Sequence, residues 1–283
     1  MKKLLFGGCF IFLLVNNSFA TTALQPIHLT CEYLENPLGI DMAKPRLSWK
    51  FTSTERNEFQ TAYEILVSDN EKDSKLLKGN CWQTGKIIST ENIHIEYNGQ
   101  PLKAFTKYYW RVKVYDKNGI ASAWSTIASF ETAALQASDW QAKWIGDGSK
   151  QFERDEDFYQ EDPMPLFRKQ INIRKKIASA RLYISGLGYA EVYINNKKVG
   201  EDFLNPGFTA YRKEVLYSTY DVTNLLTKNS TNTIGIMLGN GWYNPLPLRL
   251  FGQYNLRNVQ QTGRPCVKAQ ALITYTDGTV ETL

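Results

Sequence analysis

Histidine is nearly missing from this chain: His28 and His94 are the only two in 283 residues. A Ser-His-Asp or Cys-His catalytic arrangement needs one of them beside a nucleophile, and neither lies near a G-x-S-x-G turn. Both read as strand or surface residues. Walker loops, G-x-G-x-x-G and H-E-x-x-H are also absent, which removes the chemistries those motifs announce. Cysteine is scarce, four in all. Cys31, Cys81 and Cys266 stand at wide spacings with no C-x-x-C among them, a pattern unsuited to zinc. They are expected as buried free thiols, with a single Cys31–Cys81 disulfide as the alternative. Charge of one sign does not collect anywhere, for 33 Lys and Arg are scattered among 28 Asp and Glu, a net of +5. Nucleic acid is therefore excluded as a partner. A sustained helical period is lacking too, which sets aside helical bundles and doubly wound α/β folds.

Long apolar runs are missing as well, and the longest is short for a purpose. Met1-Lys2-Lys3 is basic, Leu4 to Val15 is apolar, and Ser18-Phe19-Ala20 has the small residues that signal peptidase reads, which predicts residues 1–20 as a signal peptide cleaved after Ala20. A dozen apolar residues do not span roughly 30 Å of hydrocarbon. Cys9 lies too early for a lipoprotein signal. The expectation is an exported protein, periplasmic or extracellular, with no membrane association after cleavage and a mature chain long enough for two domains.

What the chain does have is aromatic residues, 13% of the total, set in runs of period two. In "TAYEILVSD" Tyr63, Ile65 and Val67 fall on one face, with Glu64 and Ser68 on the other. "NIHIEY" and "YYWRVKVYD" repeat the pattern, the latter placing Trp110, Val112 and Val114 inward. Asp69-Asn70, Asn98-Gly99 and Asn118-Gly119 mark turns between them at all-β spacing. Residues 21–134 resemble a fibronectin type III domain: Trp49 in "PRLSWKF" stands where that sandwich buries a strand-B tryptophan, and Leu102 with Tyr108 matches its tyrosine corner.

A linker is expected over 135–165. Its acids Asp155, Glu156, Asp157, Glu161 and Asp162 read as a solvated surface, because a glycosidase pair must face across a cleft about 5 to 9.5 Å wide. From Leu166 strands resume, with hairpin turns at Asn195-Asn196 and Asp277-Gly278. Residues 166–283 thus form a second antiparallel β-sandwich, jelly-roll-like, whose last strand begins just before Leu283, so that this domain looks cut at its C-terminal end. "SGLGYAE" joins two strands and offers no helix N-terminus to phosphate.

The loop "GNGWYNPLP", Gly239 to Pro247, sets Trp242 and Tyr243 among strand breakers. Together with Tyr189, Asn240 and Asn244 it offers ring faces and amides, the groups that stack on and hydrogen-bond to pyranoses. The same residues also suit packing on a neighbouring domain, and both readings stand.

"PLFRK", "LYISGLGYAEVYINNKKVG", "LNPGFTAYRKEVLYSTYDVTNLL" and "IGIMLGNGWY" together resemble the amino-terminal sandwich of bacterial α-L-rhamnosidases, glycoside hydrolase family 78. "NPLGIDMAKPRLSWKF" and "YYWRVKVYDKNGIASAWS" resemble the domain that opens those enzymes. The resemblance implies an inverting hydrolase of terminal α-L-rhamnose whose acidic residues lie on an (α/α)6 barrel further along, separated widely enough to admit a water. No residue here matches that barrel, so no catalytic residue is assigned, the chain alone is expected to be inactive, and its expected partners are a rhamnose-containing carbohydrate and the missing barrel. In some relatives such a sandwich holds rhamnose with calcium; the matching positions are Glu191, Asn240 and the Pro245 carbonyl, about three oxygens where calcium takes six to eight. A stand-alone carbohydrate-binding protein and a structural pair of sandwiches are the alternatives.

Overall fold

The computed structural model describes residues 24–250 and 254–283. The signal peptide expected over residues 1–20, Cys9 included, lies outside them. Among the described residues the chain is nearly all β, in antiparallel ladders, with helix limited to short turns such as Glu71–Lys75. It divides into two compact units. Of the described residues, one holds 24–33 with 46–95 and 109–128; the other holds 34–45, 96–108, 129–250 and 254–283.

In the first unit β1 (Gln25–Cys31) pairs with β2 (Arg46–Thr52), and β3 (Ala62–Ser68) pairs with β4 (Lys107–Tyr115) from Ala62↔Tyr115 to Ser68↔Tyr109. Alternation in β4 works as the sequence implies: Trp110, Val112 and Val114 are fully buried while Arg111 and Lys113 lie at its outer face. In β3 it does not. Leu66 and Ser68 are as buried as Ile65 and Val67, because both faces of the strand are covered, and Ser68 Oγ meets the loss of water by donating to the Lys78 carbonyl. "NIHIEY" also departs from the expected strand. Only Ile95–Glu96 is extended into a ladder, Ile93 is exposed, and His94 has φ 55°. Trp49 is buried, its indole N–H donating to Gln60 Oε1 at 2.9 Å, which removes the cost of an orphan donor in the core.

The second unit carries the remaining tyrosine-corner residues and the second sandwich. Tyr108 is buried, and its hydroxyl accepts the Lys103 backbone N–H at 2.8 Å, the local tie the fibronectin comparison implies. The sandwich has two four-stranded sheets. One is ordered β9 (Ser218–Asp221), β6 (Ile177–Leu187), β11 (Cys266–Tyr275), β12 (Val280–Thr282); the other β8 (Lys197–Lys198), β7 (Tyr189–Ile194), β10 (Ser230–Gly239), β5 (Leu166–Ile173). Their inner faces meet in Ile173, Leu182, Val192, Ile194, Leu238, Val267 and Ile273. The chain leaves one sheet for the other at Gly188, φ 104°, where a Cβ would stand 2.2 Å from the Gly239 carbonyl oxygen. Only glycine allows that crossing. Asn195 and Asn196, φ 49° and 65°, make the expected hairpin. Between the sheets, beside Thr282 and Leu283, a groove of about 620 Å³ is lined largely by apolar side chains, with β5 and β12 as edge strands.

One buried ion pair anchors this unit. Arg181, on β6, forks onto Glu131 through two hydrogen bonds of 2.8 and 3.1 Å and reaches Asp221 at 3.0 Å; the Arg181 and Glu131 side chains are 11% and 8% exposed. Nearby, Tyr183 packs edge-on against Phe105 and Trp140, and burial pushes its phenol well above the usual tyrosine range.

Candidate functional site: an aromatic loop braced by arginine

The loop after β10 begins one residue later than its glycines imply. Gly239 is still in the ladder opposite Tyr189, and the positive φ is at Gly241, 50°. A Cβ there would press within 3.1 to 3.3 Å of Gly188 and the Tyr189 ring, so Gly241 lets the loop fold back over the sheet crossing. Tyr189, half-buried, therefore lies under the loop.

Trp242 and Tyr243 do not stand alone. Trp242, 47% exposed, meets Phe208 edge-on at 6.1 Å, and Tyr243 meets Tyr211 at 5.4 Å. Phe208 and Tyr211 come from "NPGFTAYRK", a second breaker-rich loop carrying aromatics, and they touch each other at 5.6 Å. Burial raises the Tyr211 phenol, with the neighbouring Tyr189 and Tyr243 hydroxyls adding to it; burial likewise raises Tyr243. At both positions the hydroxyl stays protonated at neutral pH and remains able to donate. Tyr243 is fixed further by Gly263, whose N–H donates to its carbonyl at 3.0 Å and whose missing Cβ leaves room for the phenol.

The amides do internal work. Asn244 is 6% exposed; its Nδ2 donates to Asn240 Oδ1 at 2.8 Å, and its Oδ1 accepts from Arg257 Nη1 at 3.0 Å and from Gln151 Nε2 at 3.4 Å. The same Arg257 nitrogen donates to the Pro245 carbonyl at 2.6 Å, and the guanidinium lies 3.8 Å over the Phe158 ring. Burial lowers the Arg257 basicity while Asp155 opposes the shift, as expected of a cation taken partly out of water. The loop thus already holds a cation, and it is an arginine.

Calcium does not fit the residues the resemblance offered. The Pro245 carbonyl and the Asn240 side-chain oxygen are engaged as described. Glu191, on the outer face of β7, is held by Lys198 Nζ and the Tyr193 hydroxyl, each at 3.0 Å, and Lys198 first, then Tyr193, lowers its carboxyl pKa. Among the described residues no group of three or more His, Cys, Asp or Glu comes together.

The acidic stretch expected as a solvated linker is instead tied down in part. Asp162 and Asp147 share the Arg264 guanidinium at 2.9 to 3.0 Å, Asp157 pairs with Arg154, and Asp155 accepts from Asn255. Asp155, Asp157 and Asp162 are thus engaged by cations and amides, while Glu156 and Glu161 are exposed, as a solvated stretch implies. Cys31 is buried and Cys81 and Cys266 half-buried, all three as free thiols. Sequence reading missed Phe208, Tyr211 and Arg257. "FTAY" carried a signal in its composition, aromatics among Pro, Gly and Thr, whereas nothing local marks Arg257.

Antiparallel sandwiches in series, with aromatics held on loops, define the class by fold, and both match amino-terminal β domains of rhamnosidases. Residues 26–136 match the Rha78A-like N-terminal immunoglobulin domain, a sandwich architecture shared with fibronectin type III. Residues 175–283 match the α-L-rhamnosidase N-terminal domain. Curated α-L-rhamnosidases of Alteromonas sp. (strain LOR) and Formosa agariphila are 35% and 37% identical over 86% and 83% of this chain. The solved α-L-rhamnosidase from Dictyoglumus thermophilum superposes with a TM-score of 0.80 at 36% identity over 91% of the chain. The chain belongs to the α-L-rhamnosidase family, as an amino-terminal portion of it. It spans about a quarter of the length of those relatives, 25 to 28%, and does not include the catalytic barrel.

Proposed function

We propose that the whole protein is an exported inverting α-L-rhamnosidase that releases terminal α-L-rhamnose from glycosides or polysaccharides, and that these two sandwiches are its accessory portion. The observation that carries this reading is the match of both amino-terminal domains, in order, to relatives named α-L-rhamnosidase at 35% identity or more. Within that portion the Tyr189, Trp242 and Tyr243 surface meets sugar or the barrel, while Asn240, Asn244 and Glu191 hold the scaffold. The test is hydrolysis of p-nitrophenyl α-L-rhamnoside by the 283-residue chain and by the whole protein, with the first product anomer read by NMR. Turnover by the whole protein alone, with inversion, is the expected result. Turnover by the chain alone, lost on changing one of its carboxylates, would overturn it.

A second reading, a carbohydrate-binding module in its own right, draws on the half-exposed Trp242. Rhamnose binding by the chain, with no rhamnoside hydrolysis by the whole protein, would favour it.

A further inference from the structure

Beside the aromatic loop lies a second concavity, about 480 Å³, whose walls include Phe208, Tyr211, Arg212, Lys213, Asn258 and Gln260. Two of its wall residues, Arg212 and Lys213, are cations. Arg181, Arg264, Lys198, Arg154 and Lys175 each pair with a carboxylate. Arg212 and Lys213, adjacent in sequence and both exposed, make no ion pair among the described residues, and neither does Glu214 beside them. Two neighbouring like charges repel each other, and an anion placed between them relieves that repulsion. Gln260 supplies an independent sign. Its Oε1 is buried and has no hydrogen-bond partner, which is costly unless a donor arrives.

The remaining wall determines what kind of anion suits the site. Phe208 and Tyr211 are held edge to face at 5.6 Å and backed by Trp242 and Tyr243, so their orientation is fixed before binding. A bare inorganic anion has no use for such rings. A pyranose offers them C–H faces, its hydroxyls suit Asn258 and Gln260, and a carboxylate or sulfate on the ring suits the guanidinium fork of Arg212.

We propose that this concavity binds an anionic sugar, a glycan residue carrying a carboxylate or sulfate, next to the aromatic loop. The inference deepens the reading of these sandwiches as the carbohydrate-facing portion of a glycosidase and rests on it. A rhamnosidase portion of this kind would hold a polysaccharide whose charged residues adjoin the rhamnose to be cleaved.

The experiment is calorimetric titration of the 283-residue chain with trigalacturonate, its methyl ester, a sulfated galactose disaccharide and L-rhamnose, at low and high sodium chloride. Trigalacturonate or the sulfated sugar should bind, the ester about tenfold more weakly than the acid, and salt should weaken the charged probes only, because exposed ion pairs are screened. Arg212→Gln/Lys213→Gln should cost about tenfold against the charged probe while leaving the melting temperature unchanged, since both side chains are exposed and unpaired. Which charged probe binds identifies carboxylate or sulfate as the group read. Equal binding of acid and ester, charged-probe binding that survives in the double variant, or no binding of either charged probe overturns the inference. Rhamnoside hydrolysis by the whole protein is read in parallel: activity without anionic binding removes this inference alone, and anionic binding without activity removes the enzymatic reading instead.

Discussion

Replacing Arg257 by alanine tests whether an arginine fixes the aromatic loop. The side chain donates to Asn244 Oδ1 at 3.0 Å and to the Pro245 carbonyl at 2.6 Å, and covers Phe158 at 3.8 Å. Removing it leaves the Pro245 carbonyl short of a donor in a partly buried place and Asn244 Oδ1 with only the longer bond from Gln151, together a loss of about 2–4 kcal/mol, and forfeits a cation–π contact worth about 0.5–1 kcal/mol. Against this stands the relief of desolvating the guanidinium, the cost expressed in its lowered basicity. The net expectation is a loss of about 2–4 kcal/mol, or roughly 4–15 °C of melting temperature for a unit of this size. Differential scanning calorimetry of wild type, Arg257→Ala and Arg257→Lys, each with and without calcium, checks it. Calcium should not raise wild type, because Arg257 already engages the oxygens it would need and a ligand stabilises only what it binds. An Arg257→Ala protein that melts like wild type refutes the bracing role. A calcium-dependent rise in wild type refutes the argument that arginine holds the cation's place.

Arg181→Met strands Glu131 in a buried site and should cost about 3–5 kcal/mol, whereas Arg181→Met/Glu131→Leu should recover most of it; chemical denaturation gives both values. Gly188→Ala should leave little soluble folded protein, because its Cβ would overlap the Gly239 carbonyl, and circular dichroism of the purified variant reads the outcome. Arg264, by hydrogen bond, holds the Asp147 carboxyl below the usual carboxylate range. A lowered folded-state pKa contributes stability above the unfolded value, about 3.9, that is lost as pH falls through the folded value. The melting-temperature gap between wild type and Asp147→Asn should therefore be full at neutral pH and close under acid; a gap independent of pH would contradict the pairing. Trp242→Ala in the whole protein should either lower the melting temperature, if the ring packs on the barrel, or weaken sugar binding at unchanged melting, and a variant altered in neither respect makes the ring ordinary surface.

Strand alternation and turn chemistry are local, so the sequence by itself determined much of this protein. The period-two run of β4 dictated which residues enter the core, Asn195-Asn196 dictated its hairpin, and Trp49 with Tyr108 marked the first sandwich. The family was legible in the same way, because its phrases are contiguous. Long-range pairing is not local, and there only tertiary structure decided. Asp155 and Asp162 read as part of a solvated run until the fold brought Asn255 and Arg264 to them from about a hundred residues away. Asn244 read as a sugar ligand or a contact until Arg257, Gln151 and Asn240 enclosed it. In β3 the period failed because both faces of that strand are covered, and burial on the second face depends on what the rest of the chain places there. The aromatic surface shows both limits at once: the 239–247 loop announced its own rings, but the edge-to-face contacts of Trp242 with Phe208 and of Tyr243 with Tyr211 join positions more than thirty residues apart, which no local pattern encodes.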